Sequence, residues 1–546
     1  MVYKPTVPAV SLPNTDLYSF IFSQNEFIAG KDLNAPVLID GHDGKTLSWE
    51  QVRTESSHLA AGWNQKVGLN KGDVVAVFAP NQVDHTLLFL SLLAAQVTIS
   101  PGNPAYTEAE FEHQISSSGS VALVTVPALL PILSKICAKV GIPTERIFLF
   151  GDEEVNGCRP YKTLRTDRPI SLPLKNVSPA EDVAFICYSS GTTGVAKGVM
   201  LTHRNFIAQI LQSIYFDPNS TQDNDVILGF LPFYHIFGLS SLVLTSFYKG
   251  IPVVVMAKYD LEHLCQLVEK YKVTVATIVP PVAVHLAKAP IVSKYDLTSI
   301  RFLGCGAAPL SKEHIETLAG RIPASLKQGY GMTETTSGVI TQKVEGSVPG
   351  SIGILLANTE CKIVDAEGNE LGDDQEGELL FRGPSIMKGY LNNPKANAET
   401  FTADGWMRTG DVGKYDSASG EFFIVDRIKE LIKFKGFQVA PAELEALLMS
   451  RTEIADCCVV GVYDESQATE LPRAYVVLQP GVESSQKTSK IIDEFITSSV
   501  TNYKKLRGGI RFVNVIPKSP SGKILRREVK DWIKKEKQET TVKAHL

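Results

Sequence analysis

The densest run of groups able to handle a phosphate lies at Tyr188-Ser189-Ser190-Gly191-Thr192-Thr193-Gly194-Val195-Ala196-Lys197-Gly198, directly after the apolar run Val183 to Cys187. Hydroxyls, glycines and one lysine following a strand make a flexible, donor-rich loop in which N–H, O–H and ammonium groups can converge on an anion. The spacing from Gly191 to Lys197 does not fit GxxxxGK[ST], so the run is not a P-loop, and a solvent loop of small residues is the alternative reading. The chain has neither a GxSxG nucleophile elbow nor an HExxH zinc pair, and covalent or zinc hydrolysis loses its usual signatures.

This loop resembles the phosphate-binding signature of the adenylate-forming superfamily, which comprises acyl-CoA synthetases, adenylation domains and beetle luciferases. The similarity extends over nearly the whole chain and is greatest to the 4-coumarate:CoA ligase and luciferase-like branch. Further matches occur in the family's order: Leu231-Pro232-Phe233-Tyr234-His235-Ile236-Phe237-Gly238, Gly304-Cys305-Gly306-Ala307-Ala308-Pro309-Leu310, Gln328-Gly329-Tyr330-Gly331-Met332-Thr333-Glu334, Gly405-Trp406-Met407-Arg408-Thr409-Gly410-Asp411, and Pro517-Lys518-Ser519-Pro520-Ser521-Gly522-Lys523-Ile524-Leu525-Arg526. The resemblance implies that ATP and AMP are held by Ser189, Ser190, Gly191, Thr192, Thr193, Gly194 and Lys197, with Ala307, Gln328, Gly329, Tyr330 and Thr333 around adenine and phosphate. Asp411 and its partner Arg427 would grip the ribose, and Glu334 is a hard oxygen ligand suited to Mg2+ carried by ATP. Lys523, His235, Glu334 and Thr333 are the implied catalytic residues.

The implied reaction is activation of a small-molecule carboxylic acid in two steps. A carboxylate cannot acylate a thiol at neutral pH because oxide would have to leave; forming an acyl-AMP supplies a stabilised phosphate ester anion as leaving group. Lys523 would neutralise charge building on carboxylate and α-phosphate while pyrophosphate departs. In similar enzymes a small domain then rotates about a hinge, which maps to Lys429, and coenzyme A takes the acyl group. Rotation would withdraw Lys523 and present Lys433, Lys435, Gly436 and Gln438. Lys258, Lys435 and Gly436 would then lie by coenzyme A, Lys429 and Lys433 near the acyl-adenylate, and Gln438 near AMP.

By the same resemblance the acyl pocket comprises His235, Ile236, Phe237, Ser240, Gly304, Gly306, Gly329, Gly331, Ser337 and Gly338. Plant hydroxycinnamate ligases commonly carry a lysine at the position of Gly304, able to bind a ring hydroxyl, and Pro-Val at Ser337-Gly338. This pocket is therefore expected to be roomier, and a medium-chain fatty or aryl-alkanoic acid is favoured over 4-coumarate. A luciferase-like oxygenase, a carrier-loading adenylation enzyme and a nucleotide-sensing pseudoenzyme are the competing readings. The last is disfavoured because Glu334, Asp411, Arg427 and Lys523 are all present.

Elements that can position these groups are legible in the apolar pattern. β-branched runs at Val74 to Phe78, Val121 to Val126, Ala184 to Cys187, Val253 to Met256 and Val273 to Val279 alternate with helix-like stretches such as Leu261 to Lys270. Strand–helix alternation predicts an α/β fold of mostly parallel, layered sheets. At 546 residues the chain exceeds a single core. The texture changes near Asp426, and Pro441 followed by Glu443 reads as a helix start, so a large N-terminal domain (1–426) and a small mobile C-terminal α+β domain (427–546) are expected.

Composition narrows the function classes. A net charge of -5 leaves no general attraction for nucleic acid, and the basic stretch Lys523 to Lys537 reads as a solvated helix after a basic loop. The eight cysteines include no CxxC pair, which favours a reducing compartment. No secretory signal is apparent, and the most apolar stretch, Leu87 to Ala95, is too short to span a bilayer. The final Ala544-His545-Leu546 is similar to a relaxed peroxisomal address, so an import receptor is an expected partner and the peroxisome the expected location, with the cytoplasm as alternative.

Overall fold

A computed structural model gives the fold. It describes all residues except 190–195, 218–219, 221, 307–311, 347, 436, 466, 468, 520–521 and 545–546, and the side chains of 312–314, 535 and 537–544 also fall outside the description. Of the expected site residues, Ser190, Gly191, Thr192, Thr193, Gly194, Ala307, Gly436 and the Ala544-His545-Leu546 tail therefore lie outside the described side chains.

Two large sheets carry the strand–helix alternation. The first has eight strands, in the order Gly389–Tyr390, Lys197–Thr202, Val183–Ser189, Thr98–Gly102, Val74–Phe78, Ser120–Thr125, Ile147–Leu149 and Arg159–Pro160. Its pairings are parallel from Val183–Ser189 onward, and only the two pairings made by Lys197–Thr202 are antiparallel. All of Val74–Phe78 is buried, as a parallel strand covered on both faces must be. The helix Asp84–Ala94 is buried at every position, which explains the unusually apolar stretch seen in the sequence. The second sheet has nine strands, and its six central ones, Ser325–Met332, Phe302–Cys305, Val275–Ile278, Ile227–Gly229, Val253–Val255 and Pro36–Asp40, are all parallel.

A third sheet departs from the expected parallel pattern. Val2–Tyr3, Glu360–Val364, Gly377–Arg382, Met407–Asp416 and Glu421–Arg427 pair antiparallel throughout. Adjacent antiparallel strands need no crossover helix, so this region lacks the alternation that marked the other two sheets.

The C-terminal unit is built on the sheet Ile454–Asp464, Thr469–Leu478, Gly509–Phe512. Cys457 and Val459 pack on one face with Leu444 and Leu448 of helix Pro441–Met449 and Ile492 and Ile496 of helix Gln486–Ser499. Cys458 and Val460 pack on the other face with Val529 and Ile533 of helix Arg526–Ala544. The period-2 alternation of a strand thus sends the adjacent cysteines to opposite cores. All eight cysteines are free and buried.

Candidate functional site

Strand ends set the site. Lys197 pairs directly with Ser189 across the antiparallel hairpin that carries the glycine-rich loop, so both face the carboxyl ends of the neighbouring parallel strands. Ligands of open α/β sheets bind at such ends. Here a cavity of about 940 Å³ opens among the three sheets and Lys518, Ser519 and Lys523. It is lined by Ser189, Lys197, His235, Glu334, Asp411 and Lys523, among others. That volume is at the upper end for one small-molecule pocket.

Glu334 is the centre of one polar group. Its Oε1 accepts hydrogen bonds from Ser189 Oγ at 3.0 Å and from Tyr390 Oη at 2.9 Å. The Lys197 ammonium sits 4.7 Å from the centroid of the same Tyr390 ring. Among the described residues no cluster of three or more His, Cys, Asp or Glu side chains forms a metal cage. One nearly buried carboxylate beside hydroxyls suits Mg2+ arriving on a nucleotide, because that ion keeps most of its water and phosphate ligands.

A second group surrounds Asp411. Tyr330 Oη donates to Asp411 Oδ2 at 2.6 Å, and Arg427 Nε lies 3.2 Å from Oδ1, the two residues being direct partners across the antiparallel sheet. Burial pushes the Asp411 carboxyl up against the opposing pull of Arg427 and Tyr330. Asp426, one residue before Arg427, is raised to about 6 by burial, and its Oδ2 accepts the Ala442 N–H at the start of helix Pro441–Met449, 3.0 Å away.

Lys523 enters from the C-terminal unit. Ser519 Oγ accepts the Lys523 N–H at 3.2 Å, and Ser519 N–H donates to the Lys523 carbonyl at 2.8 Å, closing a tight turn. Gly522 has φ +78°, which favours glycine, and a Cβ there would lie in tight contact, 3.1 Å from Pro281 Cδ in the large domain. Burial and the neighbouring Arg427 lower the Lys523 ammonium to about 8, with Glu430, Asp411 and Glu334 opposing. His235 is brought down to about 4 by burial and by Lys523. Its Nδ1 accepts the Phe237 N–H at 3.3 Å, which leaves a neutral ring with its proton on Nε2.

Ile236, Phe237, Gly304, Gly306, Gly329, Gly331, Ser337 and Gly338 line the same cavity. Gly331 is compulsory, since a Cβ would fall 1.9 Å from the Ser337 carbonyl oxygen. Gly304 and Gly338 are different: a Cβ at either meets nothing nearer than 3.7 Å, so their smallness leaves volume rather than relieving a clash. Ser240 is a correction. It is 2% exposed and away from the cavity, whereas Ser241 lines it. Residues Leu239–Thr245 form a π-helical turn, whose wider winding rotates successive side chains away from α-helical spacing.

Thr333, Gln328 and Lys429 also border the cavity, but Lys258, Lys433, Lys435 and Gln438 are exposed and outside it. Motif reading missed Tyr390 and Arg526. Tyr390 lies on a two-residue strand that only tertiary pairing with Val199 brings beside Glu334. Arg526 Nε binds Glu430 Oε2 at 2.7 Å and its guanidinium also binds Glu445, tying the segment after Arg427 to the C-terminal unit.

The family model described as "AMP-binding enzyme" matches residues 26–391, and the one described as "AMP-binding enzyme C-terminal domain" matches residues 443–523, ending on Lys523. The chain belongs to the AMP-binding enzyme family. Among curated relatives, this AMP-binding enzyme is 39% identical to 4-coumarate-CoA ligase 1 of Narcissus pseudonarcissus, covering 97% of this chain and 96% of that one. It is 38% identical to the 4-coumarate–CoA ligase of Pinus taeda, covering 97% of both. Among solved structures, ATP-bound MatB from Rhodopseudomonas palustris superposes with a TM-score of 0.84 at 25% identity, covering 95% of this chain and 99% of that one. An anthranilate CoA ligase in complex with anthranoyl-AMP shares the fold with a TM-score of 0.87 at 21% identity, covering 97% and 99%. The AMP-binding enzyme described here is thus an AMP-forming acid–CoA ligase by family, with the large α/β region and smaller C-terminal domain of that fold.

Proposed function

We propose that this ligase condenses a medium-chain fatty or aryl-alkanoic (cinnamic-type) acid with ATP in the cavity and then passes the acyl group to coenzyme A. The observation that carries the reading is Lys523 seated near Asp411, Arg427 and Glu334 in one cavity with Ser189 and Lys197. In the first step the acid's carboxylate attacks the α-phosphorus and pyrophosphate leaves. The Lys523 ammonium and Lys197 offset the charge on the transferring group, which is positioning and electrostatic work and needs no covalent enzyme intermediate. Asp411 and Arg427 hold the ribose, and Tyr330 and Gln328 border the adenine. Mg2+ with Glu334 as protein ligand would supply further charge neutralisation on the phosphates.

The second step calls for a different arrangement of the two domains, divided at 426/427 with the hinge at Lys429. Lys258, Lys433, Lys435 and Gln438 are exposed, and Phe437 beside them is 54% exposed, so this face is available to replace Lys523 at the cavity after rotation. Incubation with ATP, Mg2+ and a panel of acids, with and without coenzyme A, tests the reading: AMP and acyl-CoA without light are expected. Light emission in oxygen would instead favour the luciferase-like reading, AMP without thioester a carrier-loading enzyme, and absence of AMP a sensor.

Among the described residues no helix is long and apolar enough to cross a membrane. The Ala544-His545-Leu546 end is proposed to direct import into peroxisomes. A fluorescent fusion carrying the full chain is expected in peroxisomes and one lacking these three residues in the cytosol. Identical distributions of the two would refute the address.

A further inference from the structure

The glycine-rich run is held at both ends by a helix that carries none of the motifs. Helix Glu108–Ser118 buries Phe111 and Ile115 in one apolar cluster with Phe78 and Leu123, and the Phe78 and Phe111 rings meet edge to face at 4.9 Å. Gln114 Nε2 donates to Ser100 Oγ at 2.9 Å and to the Pro101 carbonyl at 3.1 Å. These contacts seat the helix on three parallel strands of the first sheet, Val74–Phe78, Thr98–Gly102 and Ser120–Thr125. Side chains four positions apart share a helix face, and His113 and Ser117 both reach from it to the hairpin that carries the run.

His113 Nε2 lies 2.9 Å from the carbonyl oxygen of Ala196, the residue before Lys197. A carbonyl only accepts, so Nε2 carries the proton. Ser117 Oγ lies 2.6 Å from the hydroxyl of Tyr188, the residue before Ser189. Ser117 gives its own proton to the His113 carbonyl at 2.5 Å, so in this pair Tyr188 Oη donates and Ser117 Oγ accepts. The Tyr188 ring can cross to the helix because its direct partner on the facing strand is Gly198; a Cβ there would lie 2.9 Å from Ile186 Cγ2 and 3.3 Å from Tyr188 Cζ. The rings of His113 and Tyr188 meet at 90° with centroids 6.0 Å apart. One helix thus fixes the residue before Ser189 and the residue before Lys197, and both Ser189 and Lys197 line the cavity. A run of hydroxyls and glycines loses entropy when it closes on an anion, and anchoring its two ends beforehand reduces that cost.

We propose that His113 is a positioning residue for ATP: through the Ala196 carbonyl it presets the glycine-rich run and Lys197 for the triphosphate tail, while Ser117 does the same at the other end through Tyr188. His113 is not among the residues that line the cavity, so it acts through the run and touches no substrate. The inference rests on the acid–CoA ligase reading and extends the site to a helix behind it. Because the tail leaves as pyrophosphate, the first half-reaction needs His113 and the second does not.

The test follows pyrophosphate release with octanoate or cinnamate, thioester formation from supplied acyl-AMP, and calorimetric binding of a non-hydrolysable ATP analogue and of AMP. His113→Leu is expected to raise KM for ATP by about 10-fold, the range for a hydrogen bond whose acceptor is left unpaired. The ATP analogue should weaken by the same factor, whereas AMP affinity, KM for the acid and thioester formation stay within about 2-fold of wild type. His113→Gln, whose amide nitrogen stands at the reach of imidazole Nε2, should restore ATP binding, and His113→Asn, one bond shorter, should not. A folded His113→Leu enzyme with wild-type KM for ATP, equal weakening of the analogue and AMP, or a His113→Gln enzyme no better than His113→Asn overturns the assignment. In each of these cases the wild type still yields AMP, which separates them from failure of the ligase reading, in which no acid does. Should His113→Leu not fold, the comparison of His113→Gln with His113→Asn decides on the same criteria.

Discussion

Lys523→Ala is expected to slow acyl-adenylate formation by about 100- to 1,000-fold, the range for removing one preorganised charge-stabilising donor, while thioester formation from supplied acyl-AMP stays within a few-fold of wild type. The asymmetry follows from where the side chain sits. Lys523 lines the cavity with Gly522 beside it close to Pro281 of the large domain, and the second step is assigned to an arrangement in which Lys523 has left. Equal loss of both half-reactions in a folded variant would contradict the role. The same residue predicts a pH dependence. Burial and Arg427 bring its pKa down to about 8, and the cationic form is the working one. The ammonium is therefore fully present well below that value and is lost as pH rises through it. Because kcat/KM reports groups of the free enzyme, kcat/KM for ATP in adenylation is expected to fall above pH about 8. At saturating ATP the nucleotide's negative charge favours the ammonium, and kcat should hold to higher pH. Lys523→Arg, whose charge cannot titrate in this range, should lack the alkaline fall whatever its residual rate.

Glu334→Gln is expected to lower the adenylation rate by about 100-fold and to raise the Mg2+ concentration needed for half-maximal activity by about 10-fold. Glutamine keeps the volume and an oxygen able to accept from Ser189 and Tyr390, the two groups that hold Oε1. The substitution therefore removes charge with little change in packing, and the melting temperature should move by only a few degrees. Tyr390→Phe serves as the control: it deletes one hydrogen bond to Glu334 but leaves the charge and the ring beneath Lys197, so the Mg2+ requirement should be unchanged. A Glu334→Gln enzyme with wild-type Mg2+ dependence would leave the carboxylate as merely a structural partner of the two hydroxyls.

Much of the site lay open in the sequence because its chemistry is concentrated in contiguous turns. Ser189, Lys197 and the Gln328-to-Glu334 run sit at or next to strand ends, Asp411 lies within Met407–Asp416 and Lys523 in the turn before helix Arg526–Ala544, and glycines mark these stretches locally. Buried parallel strands were equally legible, since Val74–Phe78 must be apolar at every position when both faces are covered. Ser241, and not Ser240, lines the cavity, and the π-helical winding of Leu239–Thr245 leaves no compositional trace in the sequence.

By itself the sequence determined the strand–helix alternation of the two large sheets, the C-terminal helix starting at Pro441 and the order of the anion-handling motifs. These are local properties, set by apolar periodicity and by what proline and glycine do to their own backbone. Tertiary structure alone decided that Tyr390 braces Glu334, that Arg526 ties Glu430 to Glu445, and that Lys327 stands across from Gly304. Each of these pairs residues on different elements, 23 to 96 positions apart, and sheet register, which no short stretch of chain encodes, puts most of them in contact.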